Sequence, residues 1–311
     1  MEPMNEIPTV EASEHPMVLA AMGRLATLGG WKRILAGKPL EDEADLHDAE
    51  LLISAGVLRR TTDDRLEPVH VHPWYFDPAA LAGGVSSLLR RALRHAEGGS
   101  TEWSGDDLEI IRAQGSGSIS AAVAVAEGML PLMPSSYDVF LDGSARFLDV
   151  GVGVGAISLH LCELFPGVRA VGLDVLAPAL DIARNELIRA GMEERVELRL
   201  QSVADLRDRE GFDLAWLPQP FIPRADLTAG LGAIFDALIP DRWLIAPIAA
   251  APESADTMMT AIRSHGARLT GGGHITVEEM RTLLHDVGFV DVATLDQTSQ
   301  IVMLARRPAS V

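Results

Sequence analysis

The sequence RFLDVGVGVGAISL occupies residues 146–159. It begins with an apolar run that ends at Val150, continues with three glycines at alternate positions, and then places apolar residues at helical spacing. This order predicts a β-strand, a turn and an α-helix. Glycine lets a ligand approach the backbone closely, and the N-terminus of the following helix favours an anionic group. The stretch therefore predicts a binding turn for a nucleotide-like ligand, built from Gly151, Gly153 and Gly155.

An acidic residue follows at the spacing expected of such a site. A second apolar strand, Arg169 to Leu173, ends at Asp174, roughly 20 residues after the glycines. A carboxylate in this place can accept hydrogen bonds from both hydroxyls of a ribose. Gly151, Gly153 and Ala156 also satisfy the G-x-G-x-x-G/A pattern of dinucleotide-binding proteins. The motif alone therefore leaves an NAD(P)-dependent oxidoreductase open.

The charge balance excludes several kinds of partner. The chain of 311 residues carries 26 Lys and Arg against 44 Asp and Glu, a net charge of −18. Nucleic acid and anionic membranes are both repelled by such a surface.

The single cysteine, Cys162, allows neither an internal disulfide nor a cysteine cluster, and no metal is expected. An acidic N-terminus and the lack of an apolar run near ~18 residues predict a cytoplasmic protein.

The N-terminal region has the pattern of a small helical domain. Helices are predicted over Met17 to Trp31 and over Glu43 to Ala55, and two short strands follow Gly56. This is the order of a winged helix. The helix in the recognition position contains no Lys or Arg, however, which argues against DNA binding. We expect residues 1–105 to form a winged-helix-like domain that dimerises and covers substrate, with the homodimer built through residues 17–133.

Strands and helices alternate through residues 137–311, which predicts an α/β domain with a mostly parallel sheet and helices on both faces. The end of this region differs. Val290 to Leu295 and Gln300 to Ala305 are strands joined by a loop too short for a helix, so they must pair as an antiparallel hairpin. Residues 106–136 are expected to connect the two domains through helices, broken near Gly115-Ser116-Gly117.

The glycine turn, the acid that precedes it and the closing hairpin together resemble class I S-adenosylmethionine-dependent methyltransferases. Four stretches carry the resemblance: LDVGVGVG at 148–155, AVGLDV at 170–175, GMEERVEL at 191–198 and EEMRTLLHDVGF at 278–289. The N-terminal region more loosely resembles the dimerisation domain of bacterial small-molecule methyltransferases. The resemblance implies a Rossmann-like fold, S-adenosyl-L-methionine as cofactor, and methyl transfer to a hydroxyl of a small molecule in secondary metabolism. Transfer to nitrogen or carbon stays open, as does a non-catalytic ligand-sensing protein with this fold.

The resemblance also assigns the cofactor contacts. Asp149 would orient the amino group of the methionine part, Asp174 would bind the ribose hydroxyls, and Val175 would lie against the adenine. Ser202 stands near the place where the family often has an acid for the adenine amine. Substitution of Asp174 is expected to leave the stability of the unliganded protein almost unchanged. The full set of cofactor residues that we predict is Asp149, Gly151, Gly153, Gly155, Asp174, Val175, Ser202, Val203, Leu217 and Pro218.

The acceptor side is marked by two features. Residues 217–221, LPQPF, are similar to the Asn/Asp-Pro-Pro-Tyr/Phe loop of amino-group methyltransferases, but the leading Asn or Asp is missing. We therefore predict substrate contacts from Gln219 and Phe221 without carrying over the amino-group function. A hydroxyl acceptor benefits from a general base, and His265 and His274 are the candidates. The three glycines before His274 predict a mobile loop over the site.

Overall fold

The structure is a computed structural model that describes residues 15–69, 77–99, 107–250, 265–297 and 300–310. The chain divides into two compact units. The first comprises residues 1–99 and 112–120, and the second comprises residues 100–111 and 121–311. Within the described residues, none of the helices combines the length and the apolarity that a membrane crossing requires.

The first unit is mainly helical. Its core is formed by apolar side chains that include the fully buried Leu25, Trp31 and Leu52. A short antiparallel hairpin pairs Leu58 with Pro68. Its elements are α1 (Pro16–Leu28), α2 (Gly30–Leu35), α3 (Glu43–Ser54), β1 (Leu58–Arg60), β2 (Leu66–Pro68), α4 (Pro78–Ala96) and part of α5 (Leu108–Val123).

The acidic residues of α3 are bound within this unit. Arg24 of α1 donates to Asp45 Oδ1 at 2.9 Å and to Asp48 Oδ2 at 2.8 Å. Asp42 caps α3 by accepting from the backbone N–H groups of Ala44 and Asp45. The absence of DNA binding by α3 stays a prediction from the sequence, and the structure adds that Asp45 and Asp48 of this helix are paired with Arg24.

Helix α5 corrects one expectation. It runs without a break through Gly115-Ser116-Gly117, where the sequence suggested an interruption. These residues serve packing, because a Cβ on Gly83 of α4 would lie 2.8 Å from the backbone nitrogen of Gly117. The irregular backbone comes later, in a π-helical segment (Ala124–Met129) followed by a 3₁₀ turn (Leu130–Leu132).

The second unit contains a seven-stranded sheet, which confirms the predicted fold class. The strand order is β5-β4-β3-β6-β7-β9-β8. Strands β3 to β7 are parallel, and β9 pairs antiparallel with both β7 and β8. The strands are β3 (Arg146–Val150), β4 (Arg169–Asp174), β5 (Val196–Leu200), β6 (Phe212–Trp216), β7 (Leu238–Ile248), β8 (Val290–Gln297) and β9 (Gln300–Arg306).

Helices cover both faces of this sheet, as the alternation of strands and helices predicted. Residues of β3 alternate between two cores, with Phe147 in one and Leu148 in the other. Because parallel strands end at one edge, Val150, Asp174 and Trp216 lie along the same edge of the sheet. The helices are α6 (Pro134–Leu141), α7 (Ala156–Leu164), α8 (Ala177–Ala190), α9 (Arg224–Ala237) and α10 (Val277–Val287).

Candidate functional site

The glycine turn between β3 and α7 has the backbone that its sequence requires. Gly151, Gly153 and Gly155 all have positive φ, at 68°, 56° and 82°. Side chains other than glycine rarely adopt this conformation. A Cβ on Gly151 would lie 3.7 Å from Cγ of Pro218, and one on Gly153 would meet only backbone oxygen at 3.9 Å. The turn therefore presents an open backbone surface that a ligand can approach.

Strand β4 holds the turn in place. The N–H of Val152 donates to the carbonyl of Leu173 at 2.9 Å, and the N–H of Gly153 donates to Asp174 Oδ2 at 2.8 Å. These two N–H groups are bonded within the fold and are not available to a ligand. Gly172 makes the contact possible, since a Cβ there would lie 2.6 Å from Cγ2 of Val152. Sequence reasoning missed Gly172, whose only signal was a glycine inside an apolar strand.

Asp149 lies beneath the turn and is almost completely buried, with 1% of its surface exposed. Its Oδ2 accepts a hydrogen bond from the Ser158 hydroxyl at 2.7 Å. Its Oδ1 is buried and has no hydrogen-bond partner among the described residues. Burial raises the pKa of Asp149 to about 7, against the opposing effect of Ser158, and the charge of Asp174 raises it further. A hydrogen bond from a ligand to such a buried oxygen would contribute favourably to the free energy of binding.

Asp174 binds backbone N–H groups of the fold and keeps lone pairs that a ligand could use. Its Oδ1 accepts from the N–H of Leu176 at 2.9 Å, while Oδ2 accepts from Gly153. Burial raises the pKa of Asp174, and hydrogen bonds from Leu176, Gly153 and Val175 oppose that rise. Each carboxylate oxygen has a second lone pair, so the group can still accept two hydroxyl donors. The neighbouring Val175 is 64% exposed and offers an apolar surface to a planar ring.

Two of the predicted cofactor residues face the core instead. The Val203 side chain is buried and packs against Gly230, where an added Cβ would lie 2.7 Å from it. Leu217 is fully buried in the same core, and its N–H donates to the carbonyl of Ile245. Their side chains contribute to the apolar core. Ser202 accepts from the N–H of Ala204 at 3.2 Å and so caps the short turn that follows it.

Gln219 was predicted to touch substrate, whereas the structure directs its side chain into the protein interior. Its side chain is fully buried. Nε2 donates to the carbonyls of Gly272 and Gly273, both at 3.1 Å, and Oε1 accepts from the N–H of Ala249 at 3.0 Å. An amide group has two donor hydrogens, and both are used here. Gln219 is therefore an internal clamp between two loops and the end of β7.

The glycine tripeptide 271–273 is held by this clamp. The N–H of Gly272 donates to the carbonyl of Pro220 at 2.9 Å. A side chain at Gly272 would collide with the backbone of Gln219 and Pro220. This loop was predicted to be mobile, but its hydrogen bonds with Pro220 and Gln219 hold it in place.

The candidate bases flank the glycine tripeptide in the sequence. His274 directly follows the tripeptide and is exposed; nearby, the pKa of Glu279 is lowered mainly by the hydrogen bond from the backbone of Thr276 and least by His274. His265 is exposed and begins the helical segment 265–269. Phe221 is half-buried at the end of the loop after β6. Among the residues that the structure describes, no group of three or more His, Cys, Asp or Glu is suited to hold a metal ion.

Ser158 is a second residue that sequence reasoning missed. It is fully buried on α7, between the apolar residues Ile157 and Leu159. The only available signal was a small polar residue within an apolar helix segment. Its partner Asp149 was predicted, but a hydrogen bond between β3 and α7 is decided by packing.

Comparison with known proteins gives two kinds of similarity. Residues 147–241 match a family model described as a methyltransferase domain. A release factor glutamine methyltransferase of Rhodospirillum rubrum is 30% identical over 232 residues, which is 70% of this chain and 62% of that protein. The one from Chlorobaculum tepidum is 38% identical over 87 residues, 27% of this chain and 30% of that protein. The chain thus spans less than two thirds of the length of these curated relatives.

Solved structures match over a greater length. The S-adenosylmethionine-dependent methyltransferase SibL has a TM-score of 0.61 at 18% identity, with 94% of this chain and 96% of that chain covered. The mitomycin 7-O-methyltransferase MmcR has a TM-score of 0.56 at 22% identity, with 93% and 94% covered. Human N-acetylserotonin methyltransferase in complex with SAM has a TM-score of 0.54 at 16% identity, with 94% and 95% covered. At these identities the likeness concerns the fold.

Proposed function

We propose that this protein methylates a hydroxyl group of a small molecule. The proposal starts from the class I S-adenosylmethionine-dependent methyltransferase domain that the chain carries in residues 147–241. The family that the sequence resembled is thereby confirmed, and so is S-adenosylmethionine as the methyl donor of that family. The single observation that carries the choice of acceptor is that the amide of Gln219, in the loop after β6, is bound to backbone groups through both its nitrogen and its oxygen.

The residues at the edge of the sheet fit this cofactor. Asp149 Oδ1 has no donor in the described part of the chain, and the methionine part carries an ammonium group that can donate. Asp174 has lone pairs for the ribose hydroxyls, and Val175 is exposed beside it. When bound, S-adenosylmethionine supplies a methyl group on a positively charged sulfur. Asp149, Asp174 and the glycine turn would hold that group in a fixed position.

The task of the chain in such a reaction is alignment and the removal of a proton. Holding an acceptor in line with the methyl carbon can equal an effective concentration of ~10⁵–10⁸ M. A hydroxyl must also lose its proton as it reacts, and a positioned base contributes about 10²–10⁴-fold. The hydrogen bonds between Gln219 and the tripeptide 271–273 would fix the loop that bears His274.

Glutamine methylation is the second candidate, because the curated relatives are named release factor glutamine methyltransferases. The loop after β6 speaks against it. Amino-group methyltransferases grip the acceptor nitrogen with an Asn or Asp at the start of this loop, which is missing from LPQPF. The one amide in the loop, that of Gln219, donates both of its hydrogens to backbone carbonyls and accepts from a backbone N–H. The loop thus lacks the group that would hold an amide acceptor.

One experiment separates these functions. The protein is incubated with methyl-labelled S-adenosylmethionine and either a panel of phenols and alcohols or a bacterial release factor. We expect label on an oxygen of a small molecule, located by mass spectrometry. Label on the release factor would establish the second candidate instead. Binding of the cofactor without transfer to any acceptor would favour the ligand-sensing alternative. The NAD(P)-dependent oxidoreductase disagrees with the family match and with the β8–β9 hairpin.

The base is tested by two substitutions. We expect His274→Ala or His265→Ala to lower turnover by ~10²-fold or more, with little change in cofactor affinity. Steady-state rates and calorimetric titration measure the two quantities. His160→Ala is the control, because that histidine lies on α7 and faces Glu163 at 3.7 Å. If both variants retain full activity, neither histidine is the base, and alignment alone accounts for catalysis.

We further propose that the protein is a homodimer built through residues 17–133. Four large apolar side chains on α1 and α4 are exposed in the single chain: Met17, Leu28, Leu88 and Leu93. Burial of such side chains in a second copy is favourable. Light scattering is expected to give twice the mass of the chain at micromolar concentration. A monomer under these conditions would refute the dimer.

A further inference from the structure

The contact between Ser158 and Asp149 leaves the other carboxylate oxygen buried, with no donor from any residue that the structure describes. The Ser158 hydroxyl donates to Oδ2 at 2.7 Å, and both side chains are buried. We propose that Ser158 is a positioning residue, which holds Oδ2 of Asp149 and so reserves Oδ1 for the ammonium group of the cofactor's methionine part. This inference rests on the proposed function and extends it to a residue outside the glycine motif.

The geometry gives the hydroxyl this effect. A carboxylate is planar, so fixing Oδ2 also fixes where Oδ1 points. The distance of 2.7 Å lies within the range of charge-assisted O–H···O bonds, which are stronger than neutral ones. Oδ1 has no partner among the described residues, and a buried acceptor in that state is costly. The fold thus retains an oxygen that a cationic donor would satisfy.

The surrounding charges do not satisfy the carboxylate either. From β4, the negative charge of Asp174 opposes ionisation of Asp149. From α7, Cys162 is the other titratable neighbour, and burial raises the pKa of its thiol to about 11, so it is neutral near pH 7. Ser158 is the group that favours the ionised form of Asp149, which burial disfavours. An ammonium group at Oδ1 would favour the same ionised form.

The first test uses the unliganded protein. A carboxyl group with a pKa of about 7 in the fold and about 3.9 unfolded makes the fold less stable as pH rises between these values. Without the Ser158 hydroxyl the folded pKa rises further, so the loss continues above pH 7. We expect Ser158→Ala to lower the unfolding temperature by about 2–4 °C more at pH 8.5 than at pH 6.

Ser136→Ala is the matched control for this measurement. Ser136 is also fully buried, and its hydroxyl donates at 2.7 Å, but to the backbone carbonyl of Asp213. We expect the control variant to lose the same stability at both pH values. An equal pH dependence in the two serine variants would overturn the proposal. Asp149→Asn, which removes the charge, should abolish the pH dependence even if Ser158→Ala does not fold.

The second test compares two ligands by calorimetric titration. S-adenosylmethionine carries the ammonium group, whereas 5′-methylthioadenosine keeps the adenosine and lacks the amino acid part. We expect Ser158→Ala to weaken the first about 10-fold and the second less than about twofold. Equal weakening of both ligands would refute a positioning role. A wild-type protein that ignores S-adenosylmethionine refutes the proposed function, while the pH dependence of the unliganded protein still reports on the Ser158–Asp149 bond.

Discussion

Replacement of Asp174 by alanine is expected to weaken the binding of S-adenosylmethionine by roughly 30- to 1,000-fold, or about 2–4 kcal/mol. Hydrogen bonds to a charged group contribute about 1.5–3 kcal/mol each, and two ribose hydroxyls lose their acceptor. Calorimetric titration measures the change directly. Asp181→Ala is the control, since it removes the same charge from the exposed face of α8, where Asp181 binds Arg184. Unchanged affinity in Asp174→Ala would remove Asp174 from the site.

The structure changes the expected effect of this variant on stability. From the sequence alone, Asp174 was expected to be dispensable for folding. Its carboxylate, however, accepts from the N–H groups of Gly153 and Leu176. Leaving two backbone donors unpaired costs about 1–3 kcal/mol each when they are buried, and less where water can replace the carboxylate. Asp174→Ala should therefore lower the unfolding temperature, and Asp174→Asn, which keeps one acceptor oxygen, should lower it less.

Gln219→Ala is expected to destabilise the protein by about 3–5 kcal/mol. The substitution leaves a cavity and deprives the carbonyls of Gly272 and Gly273 and the N–H of Ala249 of their partners. Gln219→Glu should be similarly harmful, because it places a carboxylate oxygen against two carbonyl oxygens. Urea denaturation measures the loss of stability in each variant.

Gln201→Ala provides the control for the clamp. Its Nε2 also donates to a backbone carbonyl, that of Asp205 at 2.8 Å, but at the surface. A loss below about 1 kcal/mol is expected there, since water replaces the bond. A comparably small loss for Gln219→Ala would contradict the clamp and return Gln219 to the candidate substrate contacts.

The parts of the site that the sequence predicted depend on short-range backbone constraints. The three glycines have positive φ, which other residues rarely adopt. Asp149 and Asp174 lie at the ends of strands that are readily recognised in the sequence as apolar runs. Local sequence therefore places these residues at the edge of the sheet, as expected. The closing hairpin followed from a loop too short to hold a helix.

The parts that the sequence did not predict depend on contacts between distant segments. Gln219 turns inward because the backbone of Gly272 and Gly273 approaches it from more than 50 positions away along the chain. Val203 faces the core because Gly230 of α9 leaves room for it. Helix α5 continues without a break through Gly117, because α4 packs closely against it there. A polar or small residue has no local pattern that reveals such a neighbour.

The attachment of the glycine turn to β4 has a consequence for how the cofactor is recognised. Gly153 links the turn over Asp149 to Asp174, so the element that would contact the methionine end is hydrogen-bonded to the acid that would contact the ribose. A ligand that orders one end pre-organises the other, at a smaller entropic cost for the second contact. The affinity contributions of Asp149 and Asp174 are for this reason non-additive. Fragments of the cofactor should accordingly bind more weakly than a division of its total binding free energy would suggest.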